Sequence, residues 1–237
     1  MTSASALSGA ETLPGKTSLR TVDLRGPAGR LEALLNEGAP ASRFAALVCH
    51  PHPLGGGTMH NKVVYHAMKV LNAPAWELQL HVLRFNFRGT GVSEGKHDGV
   101  AESEDVLAAL DWLHAQYALP IVATGFSFGA MMSLAACCSS PRPKTGASIK
   151  ALVAIGLPTQ ALDRRYQHTS LETCTIPKLF LSGDRDQFAP QSDLQQITHS
   201  AADPKSLVLI SGADHFFTGR LDAMQNALAS WLKEQLA

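Results

Sequence analysis

Three residues in this chain could together carry out acyl transfer: Ser127, Asp186 and His215. Ser127 is the centre of Gly125-Phe126-Ser127-Phe128-Gly129, which follows the apolar run Ile121-Val122-Ala123-Thr124 and precedes the helix-forming stretch Ala130 to Ala136. Strand, Gly-x-Ser-x-Gly, helix is the setting that turns a common pentapeptide into a nucleophile elbow. The serine must sit on a very sharp turn, so its hydroxyl projects past the strand end. A Cβ at either flanking glycine would crowd the neighbouring strand or helix. The helix behind it aims free N–H groups and its positive dipole end at the reaction centre.

A serine hydroxyl is a poor nucleophile until a base takes its proton. His215, in Gly212-Ala213-Asp214-His215, follows the run Leu207 to Ile210, and a histidine is the side chain best suited to act as such a base near neutral pH. A carboxylate on its far nitrogen would fix the tautomer and stabilise the imidazolium. Asp184 and Asp186, in Gly183-Asp184-Arg185-Asp186 after Leu179 to Ser182, compete for that role. Asp184 follows the glycine at once and belongs on the turn, whereas Asp186 lies where the loop can swing towards the histidine, so Asp186 is the choice. The order is Ser, Asp, His, with gaps of 59 and 29 residues, which places each on a different loop at one edge of a sheet.

The elements that must position them follow from hydropathy. Ser18 to about Asn36 reads as two strands around Gly26-Pro27-Ala28-Gly29. The continuous apolar run at 44–49 reads as a strand buried on both faces, and mainly apolar segments at 81–87, 121–124, 151–156, 178–182 and 206–210 read as further strands. Helical patterns cover about 61–71, 100–117, 130–136 and 220–236. Strands alternating with helices predict an α/β fold with a mainly parallel sheet of about eight strands and helices on both faces. Ligands bind beyond the carboxyl ends of such strands.

Composition narrows the function. The 237 residues suit one α/β domain over 17–237, preceded by a flexible tail over 1–16 that lacks the features of a secretory leader. Zero formal net charge argues against nucleic-acid binding, and no apolar stretch is long enough for a membrane span. Cys49, Cys137, Cys138 and Cys174 fit no zinc spacing and read as small core residues in a reducing, cytoplasmic setting. His50, His52, His60 and His66 lack acidic partners for a metal site and read as loop-holding groups; no cofactor is expected. Arg88-Gly89-Thr90-Gly91 is too short for a dinucleotide fingerprint and reads as a loop brace.

These residues resemble the α/β-hydrolase superfamily over nearly the whole chain from Ser18. The Gly-x-Ser-x-Gly, Gly-x-x-Asp and Asp-His loops match 125–129, 183–186 and 214–215. More narrowly, Cys49 to Met59 with Arg84 to Gly95 resembles a group of small serine hydrolases near the dienelactone-hydrolase branch, whose own cysteine nucleophile is replaced here by Ser127. The resemblance implies an oxyanion hole with one donor at the Phe128 N–H. The other comes from the loop after the strand ending at Cys49. Pro51 and Pro53 have no N–H, leaving His52 or Leu54. His50-Pro51 stands where many relatives have His-Gly with the next residue donating, so His52 is preferred.

A cap in this superfamily usually enters between the strand ending near Gly156 and the one starting at Lys178. Leu157 to Pro177 is too short for more than a turn or two of helix, which predicts an open site. Phe126 and Phe128, with Phe188, Phe216 and Phe217, point to an apolar acyl pocket. The expected activity is cofactor-free hydrolysis of a small-molecule carboxylic ester or thioester. An acyl-peptide-type peptidase and a non-catalytic binder of the same fold are the alternatives.

Overall fold

The computed structural model describes residues 18–139, 146–161 and 164–237. The expected tail over 1–16 lies outside them. Strands β1 (Leu19–Gly26) and β2 (Gly29–Asn36) form an antiparallel hairpin. Gly29, at φ 121°, takes the turn conformation that a side chain resists. On β2, Leu31, Ala33 and Leu35 alternate inward with partly exposed neighbours, the mark of a strand buried on one face.

After the hairpin come β3 (Ala45–Cys49), α1 (Lys62–Asn72), β4 (His81–Phe85), α2 (Glu102–Tyr117), β5 (Ile121–Phe126), α3 (Phe128–Cys138) and β6 (Ile149–Ile155). Two-residue strands β7 (Gln160–Ala161) and β8 (Arg164–Arg165) pair with each other. Then follow β9 (Lys178–Gly183), α4 (Gln191–Ser200), β10 (Lys205–Ile210) and α5 (Leu221–Leu236). The main sheet has eight strands in the order β1-β2-β4-β3-β5-β6-β9-β10. From β4 to β10 all neighbours are parallel; only the pairings β1–β2 and β2–β4 are antiparallel. Strands β3, β4, β5 and β9 are buried at every residue, which explains their unbroken apolar runs.

Helices cover both faces. Leu110 and Leu113 of α2, Leu134 of α3 and Leu194 of α4 join one core cluster; Val64 and Leu71 of α1 with Leu228 and Leu232 of α5 join the other. The Asn61 side chain caps α1 by accepting the Val63 N–H at 2.9 Å. Acidic Glu102, Glu104 and Asp105 occupy the first turn of α2, where the helix dipole favours negative charge. Arg88 binds Asp105 through Nε and Nη2, the shortest contact being 2.8 Å, and this hydrogen bonding raises the guanidinium pKa above its usual value. The Arg88 loop is therefore pinned to α2 as the brace its sequence predicts.

The reading of the cysteines is corrected. Cys138 at the end of α3 is bonded to Cys174, so these two are not free thiols, and the argument for a reducing compartment that rested on them falls. Cys49 and Cys137 are buried and outside that bond; burial pushes the Cys49 thiol up to about 12. Helix α4 has no counterpart in the hydropathy pattern.

Candidate active site

Because the inner strands are parallel, the residues that follow them gather at one sheet edge. Ser127 is the single residue between β5 and α3. Its φ of 55° and ψ of −119° lie outside the regions L-residues favour. Such a conformation costs on the order of 1–3 kcal/mol and persists only when its surroundings over-determine it. Here they do. Ser127 N–H donates to the Ile155 carbonyl at 2.8 Å, and the Ser127 carbonyl accepts from the N–H groups of Ala130 and Met131. A Cβ on Gly125 would fall within 3 Å of the Gly129 carbonyl, and one on Gly129 within 3 Å of the Cys49 carbonyl. Both glycines are required by close backbone approach, as the pentapeptide implies.

Ser127 Oγ lies 3.0 Å from Nε2 of His215, and Nδ1 of His215 lies 2.8 Å from Oδ2 of Asp186. Asp186 is buried. Its Oδ2 also accepts from the Ser182 hydroxyl at 3.0 Å, and its Oδ1 accepts from the N–H groups of Phe188 and Ala189. The other groups bonded to the Asp186 carboxylate are donors, so the network assigns the His215 proton to Nδ1 and leaves Nε2 as an acceptor facing Ser127. The His215 ring is walled by Phe126, Phe188 and Phe216 at centroid distances of 5.0, 4.7 and 5.2 Å. Asp184 does not reach His215; its Oδ1 accepts the Gly212 N–H at 2.8 Å and ties the β9 and β10 loops together. Asp214 likewise holds its own loop through the N–H groups of Phe216 and Thr218.

On the other side of Ser127 lies the loop after β3. His50 is fully buried; its Nε2 accepts the Phe87 N–H at 3.0 Å, which places the ring proton on Nδ1, 2.6 Å from the Pro51 carbonyl. Burial lowers the His50 pKa to about 4 against the raising effect of that carbonyl. The Pro51–His52 peptide is thus clamped by its oxygen. In a trans peptide the N–H points opposite to the C=O, so the clamp also fixes the direction of the His52 N–H. The Leu54 N–H is engaged by Nδ1 of His52 at 3.2 Å. Among the described residues no hydrogen bond uses the N–H of His52 or of Phe128. Of the two candidates named from the sequence, Leu54 has its N–H engaged and His52 does not. Burial lowers the His52 pKa, and nearby His97 adds to this.

A cavity of about 690 Å³ opens over Ser127 and His215. Leu54, Phe128, Met131, Tyr166, Phe188 and Phe216 shape it, and no Asp, Glu, Lys or Arg is among its lining residues. Leu54 and Phe216 stand 83% and 50% exposed at its mouth, reaching it from loops on opposite sides of β5 in the sheet order. Phe126 and Phe217, expected in the pocket, are instead fully buried in the core beneath it. Tyr166, which the sequence did not single out as pocket-forming, lines the cavity from the segment after β8. Between β6 and β9 the described residues form the β7–β8 pair and a short 3-10 turn at Thr169–Glu172, with no cap domain. No group of three metal-ligating side chains occurs among the described residues.

Comparison with known proteins agrees with this architecture. The family described as "Alpha/beta hydrolase domain" matches residues 45–234. An uncharacterized protein of Rickettsia prowazekii is 36% identical over 215 residues, covering 87% of this chain and 86% of the relative. The structure of an alpha-beta serine hydrolase homologue from Coxiella burnetii is 34% identical with a TM-score of 0.79, covering 93% of this chain and all of that one. An a/b serine hydrolase without lid from Xanthomonas campestris is 30% identical with a TM-score of 0.77, covering 94% and 96%.

Proposed function

The chain belongs to the alpha/beta hydrolase family, and on that premise we propose that it is a cofactor-free serine esterase acting on uncharged carboxylic esters or thioesters. The observation that carries this reading is the continuous chain Ser127–His215–Asp186, with contacts of 3.0 and 2.8 Å, ending at a serine in an elbow conformation.

In the first half-reaction Ser127 Oγ attacks the carbonyl carbon while its proton passes to Nε2 of His215. Asp186 holds the imidazole in orientation and stabilises the imidazolium. The carbonyl oxygen becomes an oxyanion that accepts from the N–H groups of Phe128 and His52. Collapse expels the alcohol or thiol, which takes the proton from Nε2, and leaves an acyl group on Ser127. Water, deprotonated by His215, attacks the acyl-serine; the acid departs and the serine regains its proton. A substrate carboxylate in the cavity would meet no cationic side chain to offset its lost hydration, so the lining favours neutral substrates.

The test is labelling with a fluorophosphonate probe, comparing the parent with Ser127→Ala. The parent should label stoichiometrically and the variant not at all. A folded parent protein that does not label would falsify the reading. Rates for p-nitrophenyl esters of rising acyl length then size the cavity.

A further inference from the structure

We propose that His97, held by Glu102, is a positioning residue for the oxyanion hole, so that the loop between β4 and α2 takes part in the reaction. The proposal rests on the acyl-serine reading above. It arises from a feature that reading does not use: a half-buried imidazole held by a buried carboxylate beside the two residues that donate to the oxyanion.

The rings of those two residues touch, with His52 and Phe128 centroids 4.9 Å apart. His97 meets both, edge to face, at 4.7 Å from His52 and 5.4 Å from Phe128. Phe87 closes another flank of Phe128 at 5.5 Å. The separation of the two donors is thus set by ring contacts, and His97 is the ring that touches both. It does not line the cavity and reaches no reacting atom. The His52 ring is also tied to its own turn through the Leu54 N–H, so a shift of that ring carries the backbone of the loop with it.

His97 is in turn held in place. Its Nδ1 lies 2.5 Å from Oε1 of fully buried Glu102, a close polar contact off the line of a hydrogen bond. Both Glu102 oxygens are fixed by backbone, Oε1 by the Asp98 N–H and Oε2 by the Gly99 N–H, each at 3.0 Å. Glu102 opens α2, where the helix dipole favours a carboxylate. The loop crosses Gly89 so closely that a Cβ there would press on the His97 backbone. The contact thus ties a half-buried imidazole to a carboxylate that α2 and the loop backbone already hold, and sets it against both donor residues.

The experiment compares the parent protein with His97→Ala, His97→Phe, His52→Ala and the His52→Ala/His97→Ala double variant. Turnover of p-nitrophenyl butyrate is expressed per fluorophosphonate-reactive site, so unfolded protein does not count. Affinity is measured for a trifluoromethyl ketone, whose carbonyl adds Ser127 Oγ, passes the serine proton to His215 and places its oxyanion in the hole. His97→Ala should lower kcat roughly 10- to 100-fold with KM within about twofold, less than the 10²–10³ that outright loss of a donor costs. The ketone should weaken by the same factor, and His97→Phe, which keeps a ring at both contacts, should recover most of the loss. The double variant should be no slower than His52→Ala alone. Unchanged kcat and ketone affinity in His97→Ala, a rise in KM alone, or losses that multiply in the double variant overturn the proposal. A parent protein that neither labels nor turns over overturns the acyl-serine reading itself, a result distinct from any of these.

Discussion

His50 offers a prediction in which stability and catalysis separate. Its ring makes two hydrogen bonds at opposite nitrogens: Nε2 to the Phe87 N–H and Nδ1 to the Pro51 carbonyl. A glutamine places an acceptor near the position of Nε2 but nothing near Nδ1. An asparagine places a donor near Nδ1 but nothing that reaches Phe87. Each substitution therefore leaves one buried backbone group unpaired, at a cost of about 1–3 kcal/mol, or roughly 2–12 °C in Tm for a domain of this size. The two variants should be destabilised alike but differ in rate. His50→Gln releases the Pro51–His52 peptide, and a donor that can rotate away stabilises the oxyanion less, so kcat should fall roughly 10- to 100-fold with KM little changed. His50→Asn keeps the clamp and should keep most of kcat. Thermal unfolding and p-nitrophenyl butyrate kinetics on both variants decide the matter. Equal losses of kcat, or a greater loss in the asparagine variant, would refute the claim that the Pro51 contact orients the hole.

The acid residue is tested by Asp186→Asn and Asp184→Asn. The first removes the acceptor facing Nδ1 of His215 and should lower kcat by about 10⁴-fold; the second touches only the Gly212 N–H contact and should leave kcat near the parent value. The reverse ranking in steady-state rates moves the acid to Asp184. Acid should weaken the fold through His50. The unfolded chain takes up this proton near pH 6.5 and the folded protein only near 4, so stability is fully present above 6.5 and falls as the pH drops towards 4. Each pH unit of that window is worth about 1.4 kcal/mol, giving about 3 kcal/mol in all. Urea midpoints at pH 7.0, 5.5 and 4.5 should show this decline, and it should flatten in His50→Gln.

What the sequence made legible was local or ordered along the chain. The elbow requires glycines where backbones meet, and Gly125 and Gly129 do meet backbone. The parallel strands appear as apolar runs because both their faces are buried. Helix α4 escaped because Leu194 is its sole buried residue, so no periodic stripe exists to be read. The Cys138–Cys174 bond joins positions 36 apart, one at the end of α3 and one in the loop before β9, and spacing alone does not specify such a pair. Phe126 and Phe217 adjoin catalytic candidates in sequence yet point into the core. Neighbourhood along a chain does not define neighbourhood in a pocket, and Tyr166, distant from every motif, does line it.

The oxyanion loop shows why one part of the site resisted reading and how its physics resolves it. The proposed donors are backbone groups, so residue type says little about which N–H is offered; what matters is which other N–H groups are unable or engaged. In His50-Pro51-His52-Pro53-Leu54 the prolines have none, and the Leu54 N–H is taken by the His52 ring. The same residues stiffen the segment, since each proline fixes φ and narrows the unfolded ensemble, an effect worth about 0.4–1 kcal/mol where the native conformation accepts it. Gly57 lets the chain turn back against the Pro51 and His52 carbonyls, and the His52 carbonyl accepts the Gly55 and Gly57 N–H groups at 3.0 and 3.1 Å. The proposed hole, assembled in this way, would not have to reorganise as an oxyanion forms, which is the condition under which two backbone dipoles act strongly on a transition state.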